Sequence, residues 1–159
     1  MYIHTFCLVK LEEALKTNKF SSEKHKAGLN LLYTAWWLKT LISKELKIVG
    51  LTQEQYNVLR ILKGKHPEAI CVKDIGSRMI EQNSNVPRII DRLVSKKLVS
   101  RTNSEIDKRE TVITLTENGI NILSIANHEV DSLINEGVSM NENDASQLNL
   151  LLENMRKKK

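Results

Sequence analysis

Between Val86 and Leu115 the chain changes its hydrophobic pattern once, and that change limits the fold more than any other feature. Val86, Ile89, Ile90, Leu93 and Val94 stand at i, i+3, i+4, i+7 and i+8, the spacing of a helix with one apolar face and one polar face. The segment Leu98 to Arg101 and the β-branched run from Thr111 to Leu115 then read as two strands, separated by the polar run TNSEIDKRE. This predicts a one-sided helix followed by a β-hairpin with an eight- or nine-residue charged loop. Pro87 is compatible with it, because an amide missing from the first helical turn has little or no intrahelical partner to lose.

The rest of the chain is helical in pattern. Leu8, Leu11 and Leu15 form a short stripe, and Leu31, Ala35, Leu38, Ile42 and Leu46 a longer one that Gly50 stops. Thr52 follows as an N-cap, with Gln55 completing a capping box and Leu51 and Tyr56 at the positions of a hydrophobic staple, so a helix is predicted to about Lys63. Val72, Ile75 and Met79 give a short helix. Thr116 caps one bearing Ile120, Leu123, Val130, Leu133 and Ile134, and Asn141 with Asp144 caps a last one bearing Leu148, Leu152 and Met155. With two prolines and six glycines in 159 residues, the fold class is mostly α (α+β), with the hairpin as its small β part.

Charge is concentrated where the pattern changes. The span from Asn83 to Arg109 carries a net +4 of the chain's +5, which suits a polyanionic partner; the second basic cluster, Arg156 to Lys159, reads as a frayed, solvated tail. Cys7 and Cys71 are far apart and belong to no CxxC pair, which fits a reducing cytoplasm. No leader pattern and no membrane-length apolar run is present, since Lys39 interrupts LLYTAWWLKTLI. His4, His25, His66 and His128 lack ligand spacing, and no phosphate loop, HExxH, nucleophile elbow or paired catalytic acids occur, so neither a cofactor nor enzymatic activity is expected.

Two short helices followed by a basic hairpin are the parts of a winged helix-turn-helix, in which one helix enters the major groove and the hairpin reaches an adjacent groove or the backbone. From about Leu31 to Leu133 the ordered set LTQEQYNVLRIL, SNVPRIIDRLVSKKLVSR and DKRETVITLTENG resembles the MarR family of transcription regulators. Its strongest marker is Asp107, Arg109, Leu115, Thr116 and Gly119, the wing pattern Asp-x-Arg, strand, Leu-Thr-x-x-Gly. The resemblance implies a bacterial, cytoplasmic homodimer. Helical regions 1–48 and 116–159, the long N- and C-terminal helices, would supply dimerisation, and 49–115 would form the DNA-binding winged helix. It also implies double-stranded DNA as partner and a small aromatic or amphipathic effector, the protein acting as a ligand-responsive repressor. The alternative from another class is a winged-helix interaction module that places the same basic face on an acidic protein.

Candidate DNA contacts are Asn83, Ser84, Asn85 and Arg88 at the start of the one-sided helix, Lys73 near the start of the short helix, and Asp107, Lys108 and Arg109 in the wing. Asparagine and arginine suit bidentate reading of adenine and guanine edges, but helix capping and a solvated arginine explain the first group equally from the residues alone. Arg92 either pairs with Asp91 or stays solvated. Asp107 and Arg109, two apart in a strand-like segment, point to the same side. Tyr33, Trp36 and Trp37 are candidate effector contacts, with core or interface packing as the plainer reading. Cys71 lacks the second nearby thiolate of an ArsR-type metal sensor, and Leu29 stands near the position where MarR-family peroxide sensors carry cysteine. Lys97 occupies the family's usual glycine after the recognition helix, and a left-handed conformation there costs on the order of 1 kcal/mol.

Overall fold

The computed structural model describes residues 9–82, 85–104 and 107–157, so His4, Cys7 and Leu8 lie outside the described residues. The elements are α1 (Leu11–Leu15), α2 (Glu23–Ile48), α3 (Gln53–Lys63), β1 (Ile70–Cys71), α4 (Val72–Arg78), α5 (Val86–Ser95), β2 (Val99–Asn103), β3 (Thr111–Leu115), α6 (Glu117–Gly137) and α7 (Glu142–Met155). They fall into two compact units, Met1–Lys44 and Glu45–Lys159.

In the first unit, α1 is far too short to be stable alone and is held by tertiary contacts. Leu11 is buried, and Glu12 pairs with Lys26 of α2 at 2.5 Å. The Lys26 ammonium also stands 5.6 Å over the Phe20 ring, and its hydrogen bond holds the Glu12 carboxyl below the usual carboxylate range.

The second unit begins with the last turn of α2, which ends as Gly50 requires. Gly50 adopts φ 71°. Its N–H donates to the Lys47 carbonyl at 3.0 Å and that of Leu51 to the Leu46 carbonyl at 2.9 Å, so two carbonyls that the helix leaves without partners are satisfied. The predicted capping box at α3 is present: the Gln55 N–H donates to Thr52 Oγ1 at 3.3 Å and the Thr52 N–H to Gln55 Oε1 at 3.2 Å. From that start α3 buries Tyr56, Val58, Leu59 and Leu62 against α4, α5, α6 and β3. Ile75 of α4, Ile90 and Leu93 of α5, Ile113 of β3 and Leu123 of α6 complete the core. Fully burying each such side chain contributes about 1.5–3 kcal/mol.

The sheet is antiparallel in the order β1-β3-β2, with Val99 opposite Leu115 and Asn103 opposite Thr111. Two details differ from the sequence reading. β1, pairing Ile70 with Ile113, is a third strand; two residues are too few to show a period. β2 runs two residues past Arg101, because an exposed strand end on one side of an antiparallel pair needs no apolar side chains. The hairpin is correspondingly longer, with the Ser104 N–H donating to the Glu110 carbonyl at 2.9 Å just beyond the last strand pair.

Helix α6 starts as predicted, with Thr116 Oγ1 accepting from the Gly119 N–H at 3.0 Å, and α7 with Asn141 Oδ1 accepting from the Asp144 N–H at 2.9 Å. Tyr56 Oη donates to Asn127 Oδ1 at 2.8 Å and so links α3 to α6; burial pushes its hydroxyl pKa up. Helix α7 buries none of its residues: Leu150 and Leu151 are 59% and 66% exposed. Among the described residues no helix is long and apolar enough to cross a membrane.

Candidate nucleic-acid interface

Helix α5 begins at Asn85, whose Oδ1 accepts the Arg88 N–H at 3.3 Å. The capping reading of Asn85 therefore holds for its oxygen; the donor half of the amide takes no part in the cap. Pro87 sits in the first turn, where it displaces no intrahelical bond. From there the sequence periodicity sorts the side chains: Val86, Ile90 and Leu93 are buried, Ile89 and Val94 half-buried, and Pro87, Arg88, Asp91 and Arg92 exposed. Asn83 and Ser84 lie outside the described residues. Lys73 is exposed in the first turn of α4.

An open groove of about 400 Å³ runs beside this face, lined by Asn85, Arg88 and Arg92 and by Thr52 and Gln55 from the start of α3. Glu54 and Glu81 also line it, so the groove carries both signs. Asp91 pairs with Arg101 of β2 rather than with its neighbour Arg92: Arg101 Nη2 donates to Asp91 Oδ1 at 2.6 Å. Adjacent helical residues point about 100° apart and do not face each other, whereas β2 packs directly against α5. The pair is a strut between the one-sided helix and the wing.

The join between α5 and β2 explains a second feature. Lys97 adopts φ 58°, and the bonds from Lys97 N–H to the Val94 carbonyl at 2.8 Å and from Leu98 N–H to the Leu93 carbonyl at 3.0 Å repeat the pattern at Gly50. Lys97 thus takes the left-handed conformation without the glycine that favours it. Thr116 Oγ1 donates to the Lys97 carbonyl at 2.9 Å and holds the bend from the other side. Gly119 is required by close approach: a Cβ there would lie 2.0 Å from the Leu98 carbonyl oxygen.

At the wing tip, Asp107 and Arg109 are brought together, by a turn rather than by strand alternation. The backbone N–H of Arg109 donates to Asp107 Oδ1 at 3.0 Å, while Arg109 Nε and Nη2 donate to Oδ1 at 3.2 Å and Oδ2 at 3.3 Å. A side chain that bonds the backbone two residues on is a standard local turn for aspartate, and it replaces the same-side argument made for a strand. The Arg109 hydrogen bonds hold the Asp107 carboxyl below the usual carboxylate range. The Arg109 side chain is 91% exposed, so the guanidinium is oriented yet open to solvent. Lys108 beside it is exposed.

The aromatic candidates lie in the first unit. The Tyr33 and Trp36 rings are 5.7 Å apart and tilted; Tyr33 and Trp37 are half-buried. Trp36 is 61% exposed, which rules out core packing within the chain for that residue. Cys71 is a free, half-buried thiol preceding α4, and among the described residues no three metal-binding side chains gather.

The family model for the transcriptional regulators SarA and Rot matches residues 40–125, which takes in the capping box, α5, the wing and the first half of α6. A curated relative, the HTH-type transcriptional regulator SarZ of Staphylococcus epidermidis, is 32% identical over 91 residues, 57% of this chain and 60% of its own length. The fold is shared with a mutant MarR from E. coli complexed with operator DNA, at TM-score 0.76 and 20% identity over 88% of this chain and all of that one. It is also shared with CouR from Rhodococcus jostii bound to p-coumaroyl-CoA, at TM-score 0.71 and 22% identity over 86% of this chain and 95% of that one.

Proposed function

Because this chain belongs to the SarA/Rot family of transcriptional regulators, with the winged-helix fold of MarR-family proteins, we propose that it binds double-stranded DNA sequence-specifically as a cytoplasmic homodimer. Helix α5 enters the major groove with Asn85 and Arg88 toward base edges. Lys73 contacts a phosphate, and Lys108 and Arg109 reach the minor groove or backbone beside it. Asn83 and Ser84, which precede Asn85 in the sequence, remain candidate contacts. The single observation that carries this reading is the division of α5: Val86, Ile90 and Leu93 go into the core, and the outward face carries Arg88 and Arg92 beside Asp91, with the Asn85 amide at its start. Next to it in sequence, a hairpin presents an arginine oriented by its own carboxylate. An arginine fixed in direction but 91% exposed suits a narrow minor groove, where the negative potential is enhanced.

Dimerisation is supported by apolar surface that one chain leaves open. Leu32, Trp36 and Ile48 of α2 are 69%, 61% and 74% exposed, as are Leu150, Leu151 and Met155 of α7 at 59%, 66% and 57%, on the helices that flank the winged helix in sequence. A two-fold dimer then presents two copies of α5 to half-sites about one helical turn, roughly 10 base pairs, apart. Repression would be relieved when a small aromatic or amphipathic effector, held by Tyr33, Trp36 and Trp37, changes the spacing of the two α5 helices and with it DNA affinity.

The test is selection from random duplexes followed by salt titration, with sedimentation at micromolar protein. The proposal requires a dimer, recovery of inverted repeats, and affinity that falls steeply with salt. A well-folded monomer that still binds DNA tightly, or recovery of direct repeats alone, overturns the architecture. Binding to an acidic protein that unrelated duplex DNA fails to compete replaces the function.

A further inference from the structure

By charge count alone Lys96 belongs with the basic residues that face a polyanion, but its geometry gives it another task. Its Nζ donates to the Gly50 carbonyl at 2.5 Å and to Gln55 Oε1 at 3.2 Å. Gly50 is the left-handed residue that closes α2, and Gln55, 3% exposed, is the capping-box residue whose same oxygen accepts the Thr52 N–H. Lys96 is itself the C-cap of α5, its backbone N–H bonded to the Arg92 carbonyl at 3.2 Å. One side chain therefore runs from the carbonyl end of α5 to the carbonyl end of α2, both ends partially negative, and to the start of α3. An ammonium can satisfy both acceptors at once because it carries three donors, and its charge strengthens each bond.

We infer that Lys96 is a positioning residue, fixing the recognition helix α5 to the corner between α2 and α3 so that a displacement at the end of the long helix is carried to α5. This rests on the DNA-binding reading above and adds to it the route by which α2 and α5 are coupled. It also removes Lys96 from the phosphate-contacting set. A phosphate contact adds to the slope of log affinity against log salt, whereas a latch within the protein sets the direction of α5 and leaves that slope alone. A latch of general stability would weaken binding to operator and random duplex alike. A positioning latch acts on base reading and so on their ratio.

The experiment uses the full chain as parent, Lys96→Met and Lys96→Arg. Affinities are measured for a selected inverted repeat and for a random duplex across a salt series, and amide hydrogen exchange is followed in the free protein. Lys96→Met is expected to lose about tenfold in operator affinity, with random-duplex affinity and salt slope unchanged, and Lys96→Arg to restore most of the loss. Exchange at Leu51 and Leu98, on either side of the latch, should rise together in Lys96→Met. A salt slope reduced by about one, equal losses on both duplexes, or no loss at all overturns the inference. Should Lys96→Met fail to fold, Lys96→Gln carries the same measurements. If the parent does not discriminate its selected site from random duplex, the DNA-binding reading fails by itself. The exchange comparison then still decides the latch: unchanged exchange at both amides refutes it.

Discussion

The two helix ends at Gly50 and Lys97 form an internal experiment in backbone conformation. Both residues are left-handed, φ 71° and 58°, and both close the same pair of hydrogen bonds, yet one is glycine and the other lysine. A side chain in this conformation costs about 1–2 kcal/mol relative to glycine. Glycine in turn adds about 0.4–1 kcal/mol of freedom to the unfolded chain, so Lys97→Gly should gain about 0.5–1 kcal/mol net. Lys97 is exposed, and removing one surface charge changes stability little. The mirror change, Gly50→Ala, meets no atom within 4 Å of the added Cβ, so its cost is purely torsional and should be of the same size with the opposite sign. For a unit of this length about 4 °C accompanies each kcal/mol, which gives a rise of about 2–4 °C for Lys97→Gly and a comparable fall for Gly50→Ala. Thermal melts at one protein concentration and at high salt, which screens the charge change, make the comparison clean. If Lys97→Gly lowers the melting temperature, or Gly50→Ala raises it, backbone strain is not what distinguishes these two sites.

Gly119→Ala drives a methyl group to 2.0 Å from the Leu98 carbonyl oxygen, a backbone atom of the join between α5 and β2, and should cost about 3 kcal/mol, at the upper end for overpacking; a melt within 2 °C of the parent would show that α6 and this join separate freely. Arg88→Ala should lose about 1–3 kcal/mol of discrimination between the selected site and point-mutated sites, with Lys157→Ala nearly silent; equal losses on operator and random DNA would demote Arg88 to a phosphate contact. Asp107→Ala should weaken operator binding although it removes a negative charge from the wing, because Arg109 loses its orienting acceptor, and tighter binding would mean that simple repulsion outweighs positioning. The lowered Asp107 pKa sets the pH window: the pairing is present above the ordinary carboxylate range and is lost only as pH falls through the depressed folded value, so operator affinity at pH 5 should still contain this contribution.

The features legible from residue order alone are local ones. The caps at Thr52, Thr116 and Asn141, the stop at Gly50, the one-sided stripe of α5 and the strand Thr111–Leu115 were all legible, because each depends on side chains within about four residues of one another or on a period repeated over two turns or more. The ordered set of wing residues placed the chain among winged helices by its resemblance to the MarR family. Strand β1 was not legible, since its two residues become a strand only through the hydrogen bonds of β3. Nor could the tasks of the basic residues be read from charge. Lys96, Arg101 and Arg109 count alike in a sum, but one is bonded to the corner between α2 and α3, one to Asp91 of the neighbouring helix, and one is held open to solvent by an aspartate two residues away. Charge is additive along a chain, whereas hydrogen-bond partnership depends on which acceptors the packing of distant elements brings within about 3 Å.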